Sequence, residues 1–238
     1  HTRDLLPHLN RRYFTYGFDE KADFYAKKIE YSAPCVSFEA FYRGRKLGNF
    51  TITVPGKHNV LNALATIAVA KELSVPMDKV IESLKNFTGI GRRFEFKGEK
   101  KGIKFYDDYG HHPTEIKAVL KTAMWLKPER LCIIFQPHRY TRTRDLMEQF
   151  ISVFKQILRK NDVLFLMDIY PASEAPIEGV SGEVLYEKLK IAGVNVKFNP
   201  DKEKIKTEIL KELKQGDIVF TVGAGDVYKI GEAVRDML

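Results

Sequence analysis

Two short polar segments of the sequence contain side chains that could do chemistry. They are Asp107-Asp-Tyr-Gly-His-His-Pro113 and Gln136-Pro-His-Arg-Tyr-Thr-Arg142. In the second segment two arginines closely follow a histidine, and guanidinium groups bond the paired oxygens of phosphates and carboxylates. Arg139 and Arg142 therefore favour an anionic ligand such as a diphosphate. Plain surface charge is the alternative explanation for both.

The first segment permits a functional and a structural explanation. Asp108 and His112 could cap a helix that begins near Pro113, because a side-chain acceptor just before a helix satisfies its first N–H groups. The adjacent side chains of His111 and His112 point in different directions, which argues against a metal bound by both. We therefore predict no metal site in this chain.

A third polar group lies at the start of an apolar stretch. His58, Asn59 and Asn62 fall on the first turn of a helix that the spacing of its apolar residues predicts. Asn59 could simply cap this helix. A second asparagine three residues later instead favours a pair of amides, which can both donate to and accept from a purine edge.

A glycine-containing turn, Gly223-Ala-Gly225, precedes the last predicted helix. Backbone N–H groups at the start of a helix bind anions, so this turn could cradle a phosphate. A tight turn with Asp226 as the helix cap explains the same residues equally well, and the sequence does not distinguish the two.

The elements that must position these residues fall into two parts. Residues 1–92 have an irregular α+β pattern, whereas residues 93–238 alternate strands with helices. For the first part we predict a hairpin and two helices: strands 36–42 and 46–54, and helices 57–73 and 77–86.

Regular alternation in the second part predicts an α/β fold with a doubly wound, mostly parallel, Rossmann-like sheet. The predicted strands are 103–107, 131–136, 163–168, 194–198 and 217–222, and the predicted helices lie near 113–126, 143–159, 181–191, 201–214 and 225–237. Ligands bind beyond the carboxyl ends of the strands in such sheets. We expect both polar segments, the loop after residue 168 and the glycine turn to meet at that edge.

Composition excludes several classes of protein. The formal charge of the 238-residue chain is +8, but many of its lysines are interspersed with acidic residues, so we expect no nucleic-acid partner. No apolar run reaches the roughly 18 residues of a membrane span, and we expect no membrane association. Cys35 and Cys132 are the only cysteines, which excludes a disulfide framework and favours a cytoplasmic location.

Five motifs resemble those of the Mur ligase family and occur in the correct order, and the resemblance covers the entire chain. They are the segment 56–70 beginning Gly56-Lys-His-Asn-Val-Leu-Asn62, the linker Gly91-Arg-Arg-Phe-Glu95, and the motifs Asp107-Asp-Tyr-Gly-His-His-Pro-Thr-Glu115, Phe135-Gln-Pro-His-Arg-Tyr-Thr-Arg-Thr143 and Tyr170-Pro-Ala-Ser-Glu-Ala-Pro176. The last three are similar to the alanine-adding member in particular. The resemblance implies that residues 1–92 are the C-terminal part of a central ATP-binding domain and residues 93–238 a C-terminal domain.

The resemblance further implies ATP as cofactor, with Mg²⁺ bound by residues outside this chain. His58, Asn59 and Asn62 match positions that approach the adenine. Asp108 matches a carboxylate that binds the ribose, and Arg93 matches an arginine that reaches the phosphates from the linker.

On the substrate side, the resemblance implies UDP-N-acetylmuramate and L-alanine as partners. The residues that match this part of the family site are Tyr109, His111, His138, Arg139 and Arg142. In the family reaction ATP activates the muramoyl carboxylate as an acyl phosphate, and the amine of alanine then displaces phosphate. Arg93 and His111 are the candidate catalytic residues, since cationic groups suit the negative charge that accumulates during these steps.

The sequence departs from the family in one respect. The phosphate-binding motif G-x-x-x-x-G-K-[ST] is absent, as are the magnesium-binding residues and the domain that holds the uridine nucleotide. We therefore expect that the N-terminal half of the same protein is missing and that this chain alone is inactive. Two alternatives stay open, a ligase that recycles muropeptides by adding a tripeptide and a non-catalytic nucleotide-binding module. The motifs near Arg139 and Glu174 favour alanine over the tripeptide.

Overall fold

The computed structural model describes residues 6–32 and 35–238, and the chain forms two compact units, 1–88 and 89–238. The first unit ends four residues before the predicted boundary after residue 92, so the linker is part of the second unit. The first five residues and residues 33–34 of the predicted first domain lie outside the described part.

The first unit contains a four-stranded sheet and two helices. After a short 3-10 helix, Leu6–His8, the elements are β1 (Tyr16–Gly17), β2 (Phe24–Ser32), β3 (Cys35–Tyr42), β4 (Arg45–Ile52), α1 (Lys57–Glu72) and α2 (Met77–Asn86). The strands lie in chain order, with β1 parallel to β2 and the other pairs antiparallel. The predicted hairpin of β3 and β4 and both predicted helices are confirmed.

Strand β2 was not predicted, and its sequence explains why. Its first three residues are all buried, and the remaining six are half-buried or exposed. A register shift between Lys27 and Glu30, with Lys28 at a φ of 47°, breaks the alternation that would mark a strand. The apolar face of α1, including Val60, Leu64 and Ile67, packs in the same core as this sheet.

The second unit is a six-stranded sheet with helices on both faces. Its strands are β5 (Glu95–Lys100), β6 (Ile103–Asp108), β7 (Arg130–Phe135), β8 (Val163–Leu166), β9 (Val196–Phe198) and β10 (Asp217–Val222), in the spatial order β5-β6-β10-β7-β8-β9. Its helices are α3 (Pro113–Trp125), α4 (Tyr140–Ile157), α5 (Gly182–Ile191), α6 (Lys202–Glu212) and α7 (Val227–Met237). Every predicted strand and helix of this part is present, and strands β6 to β10 are parallel.

Strand β5 corrects the sequence interpretation. No strand was predicted between residues 93 and 102, but Glu95–Lys100 pairs antiparallel with β6 along the sheet edge. None of the residues of this edge strand is fully buried, and a register shift between Phe96 and Gly98 interrupts the alternation further. Charged residues therefore dominate a true strand.

The central strands separate two apolar cores. Along β7, the side chains of Ile133 and Phe135 pack with α3, α4 and α5, whereas those of Cys132 and Ile134 pack with α6 and α7. This alternation places helices on both faces, as the doubly wound fold requires. Within the described ranges, no helix is both long enough and apolar enough to span a membrane.

Four loops meet at the carboxyl edge of this sheet, as expected from the order of the elements. Backbone hydrogen bonds continue beyond the strand ends: Gly223 donates to Asp108, Gln136 to Val222, and Met167 to Phe135. The loops after β6, β10, β7 and β8 consequently begin at the same level on neighbouring strands. The candidate residues of the second unit lie in these loops, in the linker before β5, at the last position of β6 (Asp108) and in the first turn of α4 (Arg142).

At the opposite edge, Asp162 joins the starts of two central strands. Its fully buried carboxylate accepts hydrogen bonds from the backbone of Leu131 at 2.8 Å and from the backbone of Arg159 at 2.8 Å, and it pairs with the Arg159 guanidinium at 2.8 Å. These contacts satisfy a charge that would otherwise be costly to bury.

Replacing Asp162 with alanine should lower the free energy of unfolding by about 3 kcal/mol, because two backbone donors and a guanidinium lose their acceptor. Urea denaturation followed by fluorescence of Trp125, the only tryptophan, measures this in the second unit. The control is Asp145→Ala, which removes an exposed pair with Arg144 and should cost less than about 0.5 kcal/mol. Similar losses in the two variants would contradict the role of Asp162.

Candidate functional site

The linker before β5 is fixed to the sheet edge by Arg92. Its guanidinium donates to the Asp107 carboxylate at 2.9 Å, to the carbonyl of Gly223 at 2.6 Å and to the carbonyl of Gly225 at 3.1 Å. Asp107 is buried and also accepts a hydrogen bond from the hydroxyl of Thr221 at 2.6 Å. The charge of Arg92 is therefore compensated within the protein.

Sequence reasoning did not select Arg92. The linker motif contains two consecutive arginines, and only Arg93 was assigned a role. The structure separates the two: the side chain of Arg92 is 23% exposed, whereas that of Arg93 is 50% exposed and lies 3.9 Å from Glu115. Arg93 therefore keeps half of its side chain in solvent and has a long contact with Glu115, and its role at the phosphates stays a prediction.

Asp108 is buried and engaged by the backbone. Its two carboxylate oxygens accept hydrogen bonds from the N–H groups of Gly110 at 2.7 Å and Phe94 at 2.8 Å. Burial raises the pKa of this carboxyl to about 6, although these hydrogen bonds and the nearby Arg93 oppose the shift. The carboxylate thus holds the linker against the end of β6.

The capping explanation is wrong for Asp108 and correct for His112. The Nδ1 atom of His112 accepts from the backbone of Thr114 at 3.3 Å, and Glu115 accepts in return from the backbone of His112 at 3.2 Å. This reciprocal arrangement is a capping box at the start of α3. His112 therefore has a structural role, which leaves Asp108 and His111 as the candidates in this loop.

Two histidines from different loops lie beside each other at the edge. The rings of His111 and His138 are 5.8 Å apart, and His138 stacks on Tyr170 at 5.4 Å with an interplanar angle of 8°. His111 is oriented by Nδ1 contacts to the carbonyl of Tyr109 at 3.1 Å and to Glu115 at 3.6 Å. The structure therefore brings the two polar segments together, as the sequence predicts.

His138 is held in its neutral form. A guanidinium nitrogen of Arg142 lies 3.0 Å from its Nδ1 atom and 3.1 Å from its carbonyl oxygen. Burial, and then the positive charge of Arg142, lower the pKa of the ring to about 4. With Nδ1 accepting from Arg142, the remaining ring proton is on Nε2.

Arg139 occupies the position before α4 with a φ of 74° and a side chain that is 46% exposed. Its guanidinium pairs with Glu174 at 3.3 Å. Glu174, from the loop after β8, also accepts from the N–H of Thr141 at 3.0 Å and from its hydroxyl at 2.7 Å. Glu174 thus caps α4 from another loop and restrains Arg139 without covering it.

The turn Gly223–Gly225 has a structural function. The carbonyls of both glycines accept from Arg92, and a Cβ at residue 225 would lie 2.7 Å from Gln136 Oε1 and 2.8 Å from the Tyr170 ring. Asp226 precedes α7 but makes no side-chain cap, since its Oδ2 accepts from Lys202 at 2.6 Å. Asp226 thus holds the N-cap position without a capping side chain, and a phosphate at this turn stays an untested alternative.

In the first unit, the paired amides begin α1 as predicted. The helix cap is Gly56, at a φ of 121°, so Asn59 is not the cap. Asn59 donates instead to the carbonyl of Pro55 at 2.8 Å, and Asn62 donates to the Asn59 oxygen at 3.1 Å. Asn62 and the neighbouring His58 are exposed, so the first turn presents an ordered polar surface.

Other candidate locations offer less chemistry. Among residues 6–32 and 35–238, no group of three or more His, Cys, Asp or Glu side chains is arranged to hold a metal ion. A groove of about 640 Å³ lies at the opposite edge of the second unit's sheet, near Gly102, Pro128 and Gly216. It contains none of the predicted site residues, so the carboxyl edge is the candidate site.

Nuclear magnetic resonance titration should give a pKa of about 4 for His138, well below 6.5, since burial and Arg142 both disfavour the charged ring. Arg142→Gln removes the positive charge and should raise this pKa. A pKa near 6.5 in the parent protein would contradict the burial of this ring between the two loops.

Comparisons with known proteins agree with this geometry. Residues 92–225 match the model of the Mur ligase glutamate ligase domain, and residues 1–70 match the Mur ligase middle domain. The UDP-N-acetylmuramate–L-alanine ligase of Geotalea daltonii is 48% identical over 99% of this chain and 51% of its own length. The chain thus spans about half the length of the curated relatives it matches.

Solved structures show the same fold. The UDP-N-acetylmuramate-alanine ligase MurC of Thermotoga maritima superposes with a TM-score of 0.78 at 26% identity, covering 94% of this chain and 47% of that chain. The murein peptide ligase of Psychrobacter arcticus gives a TM-score of 0.62 at 23% identity, covering 92% of this chain and 45% of that chain. The chain belongs to the Mur ligase family.

Proposed function

We propose that this chain is part of a longer cytoplasmic enzyme that joins L-alanine to UDP-N-acetylmuramate with ATP. The observation that carries the proposal is the convergence of His111, His138, Arg139 and Arg142 at one sheet edge, in the motifs that are similar to the alanine-adding member. Identity of 48% to an alanine-adding ligase supports the same substrate. We propose residues 1–92 as the end of the central domain and residues 93–238 as the C-terminal domain.

The substrate side of the site would bind anions through the exposed Arg139 and the half-buried Arg142. Arg139 and Arg142 suit the diphosphate or carboxylate of the muramoyl nucleotide and the carboxylate of alanine, because guanidinium groups bond such oxygens in pairs. His138 is neutral, so it can donate one hydrogen bond without adding charge. Tyr109, which is 37% exposed, and His111 would complete this group.

ATP, when bound, supplies the phosphoryl group that activates the muramoyl carboxylate, after which the amine of alanine replaces phosphate. Negative charge builds up on the phosphoryl oxygens and on the tetrahedral carbon, so nearby cations lower both barriers. Arg93 is the candidate for the phosphoryl group and His111 the candidate for the acyl centre. Both project from segments that Asp108 and Glu115 hold at the sheet edge.

Each unit by itself offers candidate groups for the nucleotide. Asn59 and Asn62, with His58 beside them, present donors and acceptors that fit a purine edge. Asp108 has about four lone-pair positions, of which two are used by Phe94 and Gly110, so the others can accept from ribose hydroxyls. We place the ligands for Mg²⁺ outside this chain.

The 238-residue chain alone should release no phosphate from ATP when UDP-N-acetylmuramate and L-alanine are present, because it contains no phosphate-cradling loop. The full-length protein should release phosphate in an alanine-dependent manner. A coupled phosphate assay, with alanine omitted as the control, measures both. Turnover by the chain alone would contradict the expectation of inactivity, and a full-length enzyme that uses a tripeptide in place of alanine would favour muropeptide recycling.

In the full-length enzyme, Arg93→Ala should lower kcat far more than it weakens substrate binding, since its charge is needed when phosphoryl transfer occurs. Arg139→Ala should instead raise KM for UDP-N-acetylmuramate by roughly thirtyfold, the effect of losing one charged hydrogen bond of about 2 kcal/mol. Steady-state kinetics with each substrate varied gives both constants. Arg144→Ala, an exposed arginine paired with Asp145, is the matched control and should leave them unchanged. Unchanged kinetics in the first two variants would exclude these assignments.

A further inference from the structure

We propose that Arg92 is a positioning residue that couples the phosphate side of the site, at Arg93, to the substrate side, at Tyr109. The inference rests on the proposed function and adds a residue that makes no contact with substrate. Its basis is the set of bonds that Arg92 makes with the linker, with strand β6 and with the turn before α7.

Two hydrogen bonds fix the backbone of Arg92 in an uncommon conformation. Its N–H donates to Glu95 Oε2 at 2.7 Å, its carbonyl accepts from the N–H of Tyr109 at 2.7 Å, and its φ of 61° is one that a residue with a side chain rarely adopts. Such a conformation persists where surrounding contacts determine it. The chain direction at Arg93 is therefore set by Arg92 and the loop after β6.

The bonds of the Arg92 side chain hold this backbone conformation in place. It joins the linker to carbonyl groups that lie 131 and 133 residues further along the chain, at Gly223 and Gly225, and to Asp107 at the end of β6. A planar guanidinium directs several N–H donors at once, so one side chain can satisfy all three acceptors. An ammonium group at this position could not reproduce that geometry.

Two aromatic rings hold the same guanidinium. Its central carbon lies 4.9 Å from the ring of Tyr109 and 4.6 Å from the ring of Tyr228 on α7. Tyr109 is thus a partner of Arg92 through both its ring and its N–H group, while Arg93 is its neighbour in the chain. A shift of Arg92 must displace a residue on each side of the proposed site.

Arg92 is not itself suited to bind a ligand. Its Nε, Nη1 and Nη2 atoms all donate to protein acceptors, and Asp107 compensates its charge at 2.9 Å. Arg93 has the exposed charge by contrast. This division assigns the direct contact to Arg93 and the placement of the contact to Arg92.

The test uses Arg92→Lys in the full-length enzyme, with UDP-N-acetylmuramate and ATP varied separately. Lysine keeps the charge but loses at least two of the three hydrogen bonds. We expect kcat to fall and KM for UDP-N-acetylmuramate to rise, each by roughly tenfold, which corresponds to the loss of about one charged hydrogen bond. The matched control, Arg144→Lys, should change neither constant.

A second variant covers the case in which Arg92→Lys does not fold. Tyr228→Leu removes one of the two rings and leaves every hydrogen bond of Arg92 in place, so both constants should move in the same directions by a smaller factor. Loss of folded protein alone lowers the apparent kcat but does not change KM, so KM separates positioning from stability.

The inference would be overturned if folded Arg92→Lys or Tyr228→Leu shifted the melting temperature while KM stayed unchanged, or if only one of the two constants responded. Failure of the proposed function has a different signature, because the parent enzyme would then show no alanine-dependent phosphate release. An active parent with kinetically silent variants rejects the coupling by Arg92 and leaves the proposed function intact.

Discussion

The candidate site depends on four adjacent parallel strands that end at the same level of the sheet. Hydrogen bonds from Gly223 to Asp108, from Gln136 to Val222 and from Met167 to Phe135 extend the ladder past the strand ends, so their loops start side by side. Residues that are distant in sequence thereby reach one edge without a long connection. A slip of one residue in any pair would invert the two faces of that strand and separate the two histidine-containing loops.

This edge must also accommodate buried carboxylates, and the linker supplies their partners. Asp107 is paired with Arg92, and Asp108 accepts hydrogen bonds from two backbone N–H groups, so neither is left as an unsatisfied buried charge.

Two groups at this edge make stability depend on pH in opposite senses. The pKa of Asp108 is raised from its ordinary value of 3.8 to about 6, so the contribution of this carboxyl to stability is full below pH 3.8 and is lost as pH rises towards 6. His138 acts in the opposite sense, since its contribution is full above pH 6.5 and is lost as pH falls towards 4. Near neutral pH, therefore, Asp108 is charged and His138 is neutral.

Much of the fold could be predicted from the sequence, because buried parallel strands are continuous apolar runs and the helices show a clear period. Strands β2 and β5 could not, since a register shift and a polar face remove the alternation in each. The same limit applies at the site. Arg92 and Arg93 are identical neighbours, and what distinguishes them is a set of carbonyl groups more than a hundred residues away. Asp108 and His112 were likewise equal candidates for the helix cap in the sequence, and the backbone N–H groups that they bond in the structure distinguish them.

The distribution of charge at the edge depends on which side chains form hydrogen bonds within the protein. Carboxylates there bond backbone N–H groups or fixed cations: Asp108 holds Phe94, and Glu174 holds Thr141. These carboxylates therefore stabilise the structure. The side chains of Arg93 and Arg139 are about half exposed, and each has a long contact, with Glu115 and Glu174 respectively. Exposed guanidinium groups attract anions through their charge. The same bonds that stabilise the linker and the α4 cap thus leave two exposed arginine side chains at this edge.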